Sequence, residues 1–130
     1  HGKVFPATVS AKTVTDSACL AAVEAADALN VPVIVVATEH GNSARAIRKF
    51  NPKAEILALT PNVKAARQLC LTRGVMPKIV DRISSTDEFF QLGKKLAVEM
   101  GLAKAGDKII MVNGALVPSG ITNTMSVQTI

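Results

Sequence analysis

Four short, mostly apolar runs constrain this chain more than any other feature: Val31 to Val36, Ile56 to Leu59, Val75 to Val80 and Lys108 to Val112. Each is too brief for an ordinary helix and rich in Val, Ile or Leu. They lack the strict polar alternation of a strand with one wet face. Strands of this kind are buried on both sides, so the segments between them must supply the covering layers.

Those segments read as helices. From Thr15 or Asp16, either of which can serve as an N-cap, the chain to Leu29 is Ala-rich, with Leu20, Val23 and Ala26 on one face and Asn30 as a stop. Ser43 to Phe50 forms the next helix, ended by Asn51-Pro52. Thr60-Pro61-Asn62 then caps a helix from Val63 to about Thr72, which Gly74 closes. Ser84, Ser85 and Thr86 offer caps for a long helix from Asp87 to Met100, ended by Gly101. Asn113 to Gly120 is a loop, and Thr124 to Thr129 a final strand.

The alternation predicts a three-layer α/β fold: a mainly parallel sheet of about five strands, helices on both faces, and a last strand antiparallel because no helix precedes it. Pro77 places its strand at a sheet edge. With 130 residues, 48% of them hydrophobic, one domain is expected. Residues 1–12 read as an arm or linker and 13–130 as the domain. Trp and Tyr are absent and Phe occurs four times, so aliphatic side chains must fill the core. Phe89 and Phe90 are expected to contribute one core ring and one partly exposed ring.

No apolar run approaches the roughly 20 residues of a membrane span, and no signal sequence opens the chain, so a soluble, cytoplasmic protein without a membrane partner is expected. The first residue is His1 rather than Met, which suggests a chain processed, engineered or excised from something longer. Cys19 and Cys70 lack metal or redox spacing and read as buried thiols. The net charge of +5 suits an anionic partner. Yet the densest basic group, Arg45, Arg48, Lys49 and Lys53, has no interleaved aromatic residues to stack bases, so a solvated helix face is expected and nucleic acid is not.

In a sheet of this type ligands settle beyond the carboxyl ends of the strands. Thr38-Glu39-His40-Gly41-Asn42-Ser43 follows a buried strand and opens a helix. Thr38 and Ser43 offer hydroxyls, Gly41 permits close backbone approach, and the N–H groups of Asn42 to Ala44 form the positive end of a helix. Such a stretch can cradle a phosphate. A plainer reading has Asn42 or Ser43 merely capping the helix. The glycine-bounded loop containing Val117, Pro118, Ser119 and Gly120 can fold toward the first as a lid, or can simply connect two strands. His40 beside Glu39 is a conceivable acid–base pair, and a free-standing small enzyme on the same fold would use His40 or Cys70 near the loop edge, but no suitably placed nucleophile is evident.

Three stretches carry a resemblance: VVATEHGNSARAIRKFNPKAEILALTPN, ARQLCLTRGVMPKIV and GDKIIMVNGALVPSGITNTMSV. With their Thr-x-x-Gly-x-Ser-Ala-Arg, Arg-Gly-Val-x-Pro and Ser-Gly-x-Thr-Asn-Thr motifs in order, they closely resemble the C-terminal regulatory domain of the pyruvate kinases, from about Thr13 to Ile130. The resemblance implies a parent enzyme that transfers phosphate from phosphoenolpyruvate to ADP. Its catalytic barrel, with magnesium and usually potassium, lies elsewhere. This domain would hold no cofactor and no catalytic residue, and alone would be inert.

The resemblance further implies a homotetramer and a sugar phosphate effector, cradled by Thr38, Gly41 and Ser43 and covered by the backbone from Val117 to Gly120. Glu39 would repel phosphate. No basic residue is evident near the start of the long helix, where Phe89, Phe90 and Gln91 stand. A hexose phosphate or nucleotide monophosphate is therefore expected rather than a bisphosphate, with charged His40 compensating at lower pH.

Overall fold

The computed structural model describes residues 11–39, 41–83, 85–113 and 124–130. Nine elements follow in the order α1 (Ala11–Leu29), β1 (Val33–Ala37), α2 (Asn42–Lys49), β2 (Glu55–Thr60), α3 (Val63–Leu69), β3 (Val75–Ile79), α4 (Thr86–Glu99), β4 (Lys108–Asn113) and β5 (Thr124–Thr129). The strands form one sheet in the order β3-β2-β1-β4-β5. The first four are parallel, with Ile34 beside both Ile56 and Ile110, and β5 runs antiparallel to β4. The expected architecture is the observed one, and Pro77 lies on an edge strand, where a missing N–H leaves no ladder partner wanting.

Central β1, Val-Ile-Val-Val-Ala, is buried at every position because both of its faces are covered. Ile34 and Val36 point to one side, where Ala22, Val23 and Ala26 of α1 and Ala44 and Ile47 of α2 pack with Ile56, Ala58, Ile110 and Val112. Val33, Val35 and Ala37 point to the other, against Phe89, Leu96 and Ala97 of α4, with Leu57, Leu59, Ile109 and Met111. Gly93 brings α4 down onto this face: a Cβ there would overlap Met111 Cε and lie 3.1 Å from Val35 Cγ1. Phe89 is fully buried and Phe90 half-buried, as expected.

Two helix readings are corrected. Helix α1 starts at Ala11 and runs through Thr15 and Asp16, so neither caps it. Residues favoured at caps cost only a few tenths of a kcal/mol inside a long helix, roughly, so residue type alone does not mark the start. Cys19 is buried, but Cys70 is exposed, because Leu69 takes the last inward position of α3 and the thiol falls beyond it. Asn30 and Asn51 do end their helices, at φ of 54° and 57°, a conformation that Asn tolerates better than most residues. Ser85, one of the three expected caps of α4, accepts a hydrogen bond from Glu88 N; Ser84 lies outside the described residues. Among the described residues no helix is long and apolar enough to cross a membrane.

Candidate functional site

From β1 the chain steps outward through β2 to β3, then returns under the sheet to β4 on the other side of β1. Strand order therefore reverses between β1 and β4, the kind of place where ligands settle beyond the carboxyl ends of such strands. Thr38 follows β1 directly. Its N–H donates to Leu59 O at 2.9 Å, continuing the ladder by one residue, and its side chain is buried. Thr38 Oγ1 accepts from the N–H of Gly41 at 2.9 Å. The hydroxyl proton has no acceptor among the described residues.

That bond closes a turn that only glycine enters without strain, since Gly41 stands at φ 90°, ψ −2°. Gly41 occupies the N-cap position of α2 and brings no side chain to it. At α3 and α4, Asn62 and Ser85 each accept a first-turn N–H. The first-turn N–H groups of α2 instead keep the partial positive charge of an uncapped helix end. Asn42 begins α2 and Ser43 lies inside it, so the plainer capping reading does not hold. Ser43 is buried, and its carbonyl oxygen receives the Cys19 thiol at 3.8 Å, which ties α1 to this turn.

Charge is arranged around the same loop. The Arg45 guanidinium folds back over Gly41: a Cβ placed on that glycine would lie 2.9 Å from Arg45 Nη1. Arg48 donates from Nε to Arg73 O at 2.6 Å and from Nη1 to Asn51 Oδ1 at 2.9 Å, while Lys49 lies 5.2 Å from the Phe50 ring centre. The basic group is thus not one solvated face. Its arginines are half-buried and engaged, and Arg45 belongs to the loop.

Glu39 is the larger correction. Its carboxylate takes a two-pronged ion pair from Arg82, Nη1 to Oε1 at 2.8 Å and Nη2 to Oε2 at 3.2 Å. That hydrogen bonding, with the attraction of the carboxylate, holds the Arg82 guanidinium above its already high ordinary range. The expected repulsion by Glu39 is therefore offset, and a basic residue does stand just ahead of α4. Sequence reasoning missed it by looking within the helix. The available signal was Arg82's place just after β3, because residues following neighbouring parallel strands emerge at one edge.

Thr60, fully buried at the end of β2, joins these exits: its hydroxyl donates to Glu39 O at 3.2 Å and accepts from Asn62 N at 3.1 Å, and its carbonyl accepts from Val80 N at 3.0 Å. On the other side of β1 Asn113, beside Ala37 in register, ends β4 rather than opening the loop. It is 8% exposed, and its Oδ1 accepts no hydrogen bond from the described residues. A buried acceptor left in that state is costly and suits a site that a ligand's donors complete.

Of the residues predicted from sequence, Thr38, Glu39, Gly41 and Ser43 come together here. His40, Val117, Pro118, Ser119, Gly120 and the side chain of Asn42 lie outside the described residues. Cys70 does not join them, since α3 runs back from the carboxyl edge and ends toward the opposite one. The arrangement gathers fixed N–H groups, a hydroxyl and the Arg45 guanidinium, a donor set for an anion, with the Glu39–Arg82 pair on the same loop. Among the described residues no nucleophile stands beside a base.

Comparison with known proteins gives a consistent result. The profile of the pyruvate kinase alpha/beta domain matches residues 16–128. Pyruvate kinase of Lactococcus lactis is 40% identical over the whole chain, which spans 26% of that protein, and pyruvate kinase of Clostridium acetobutylicum is 38% identical over 92% of the chain and 25% of its own length. A crystal structure of a pyruvate kinase from Cryptosporidium parvum superposes with a TM-score of 0.82 at 31% identity, covering 95% of this chain and 23% of that one. The chain thus spans about a quarter of the proteins it matches. Profile, relatives and fold agree: the chain belongs to the pyruvate kinase alpha/beta domain family.

Proposed function

We propose that this chain is the effector-binding, C-terminal domain of a pyruvate kinase and that it takes a phosphorylated small molecule at the β1–α2 loop. One observation carries the reading: buried Thr38 fixes left-handed Gly41, so that an uncapped helix end and a hydroxyl whose proton has no acceptor among the described residues meet at the point where strand order reverses. The ligand's phosphate accepts from the first-turn N–H groups of α2 and from the Thr38 and Ser43 hydroxyls, with Arg45 close by. Ligand hydroxyls donate to Asn113 Oδ1.

The whole enzyme would transfer phosphate from phosphoenolpyruvate to ADP in the cytoplasm as a homotetramer, with the effector favouring whichever arrangement binds it more tightly. The magnesium and potassium of that reaction would belong to the barrel; among the described residues here no three His, Cys, Asp or Glu side chains come together. A purely structural module with a decayed site is the contrasting reading. Against it, the Glu39 carboxylate that would repel phosphate is paired with Arg82.

Calorimetric titration with glucose 6-phosphate, AMP and fructose 1,6-bisphosphate tests the proposal. At least one should bind the unaltered chain, and Thr38→Ala and Ser43→Ala should abolish that heat while circular dichroism confirms folding. Absence of binding by all three, or binding untouched by both substitutions, would refute it.

A further inference from the structure

We infer that Arg82 reads the ligand's charge at this site, with Glu39 as its resident counter-anion, so that a phosphate monoester binds by displacing the Glu39 carboxylate from the Arg82 guanidinium. The inference rests on the effector reading and assigns it a specificity residue on a separate segment of the chain.

Three observations support it. Arg82 pairs with Glu39 through both guanidinium nitrogens, the fork geometry that a phosphate's oxygens also satisfy. Its side chain is 64% exposed, whereas that of Glu39 is 21% exposed. The arginine is therefore free to turn on its stem, while the carboxylate sits on a backbone that Thr60 fixes at Glu39 O. Finally, Glu39 directly follows Thr38, whose hydroxyl takes the Gly41 N–H, so the ion pair is anchored on the same loop.

The exchange costs little at Arg82, which is mostly exposed and finds solvent or ligand when parted from Glu39. It also limits what the site accepts. Arg82 offers one fork, which takes the oxygens of one phosphate. A second phosphate on the same molecule would meet the released carboxylate. The ligand class is a phosphate monoester, whether of a sugar or of a nucleoside.

The two partners give the test opposite signs. Glu39→Gln removes the competing charge and should tighten glucose 6-phosphate or AMP by about 3- to 10-fold, and Arg82→Ala should weaken it by at least about 10-fold. Arg82→Lys should fall between, keeping charge but losing the fork. If the pair were only a strut holding the loop, both Glu39→Gln and Arg82→Ala would weaken binding alike, and that result overturns the proposal while leaving the effector site standing. Should no variant bind, the effector reading fails and this inference falls with it. Retained thermal unfolding of each variant excludes loss of fold.

Discussion

Replacing Gly41 by Ala isolates what the β1–α2 loop demands of its backbone. A residue with a Cβ in the left-handed region costs roughly 1–2 kcal/mol. Gly106 shares nearly the same angle, φ 92° against 90°, but a Cβ there meets nothing within 4 Å. Gly106→Ala is therefore the matched control, carrying the backbone cost alone. At Gly41 the added Cβ would stand 2.9 Å from Arg45 Nη1 and 3.3 Å from Cζ and Nη2, so the guanidinium must shift.

It is the far end of a flexible side chain, so the shift forfeits local contacts and rotamer fit, about 0.5–1.5 kcal/mol, and the summed loss at Gly41 is about 1.5–3.5 kcal/mol. With an unfolding entropy near 2.1 cal/mol/K per residue, each kcal/mol lowers the melting temperature of a domain this size by about 3–4 °C. Thermal and urea unfolding of the two variants should show Gly41→Ala clearly the less stable. Glucose 6-phosphate should protect Gly106→Ala but not Gly41→Ala. Equal losses would show that Arg45 does not rest on Gly41, and no loss at Gly41 would refute the left-handed turn on which the anion site depends.

Phe89 is fully buried beneath α4 among Leu57, Leu59 and Met111, and Phe89→Ala should cost about 3–5 kcal/mol in urea denaturation, a loss that the opposite core layer cannot relieve. Thr60→Val keeps the volume but strips the bonds to Glu39 O and Asn62 N, and should cost about 1–3 kcal/mol. The same change should weaken phosphate ligands, because Glu39 loses its backbone anchor. Stability equal to that of the unaltered chain would show that water serves these groups as well as the threonine does.

What could be read from the sequence follows the range over which each feature is encoded. The strands were legible because burial on both faces forces runs such as Val33–Ala37 to be apolar at every position, and only two helix layers can bury such a run. The loop was legible because Thr38, Gly41 and Ser43 act through neighbours a few bonds away, so residue type and spacing suffice. The start of α1 was not, since Thr15 and Asp16 suit a cap and tolerate an interior turn, and nothing local decides between them. Cys70 was misplaced for a related reason. One residue's difference in where α3 stops turns the thiol from inward to outward.

Charge is the quantity that local pattern could not assign, and it decides the chemistry of the site. Glu39 and Arg82 are 43 residues apart, and their meeting depends on β1, β2 and β3 being adjacent and parallel. Given that order, the meeting is a consequence of the fold: parallel neighbours end at the same edge, and Thr60 binds the backbone leaving β1 on one side and β3 on the other. A carboxylate next to Thr38 argues against anion binding only while its partner is unknown. Once the sheet order supplies Arg82, the same carboxylate is, in the exchange proposed above, a displaceable occupant of a cationic position, and a sign that seemed to exclude phosphate would instead limit how much phosphate the site takes.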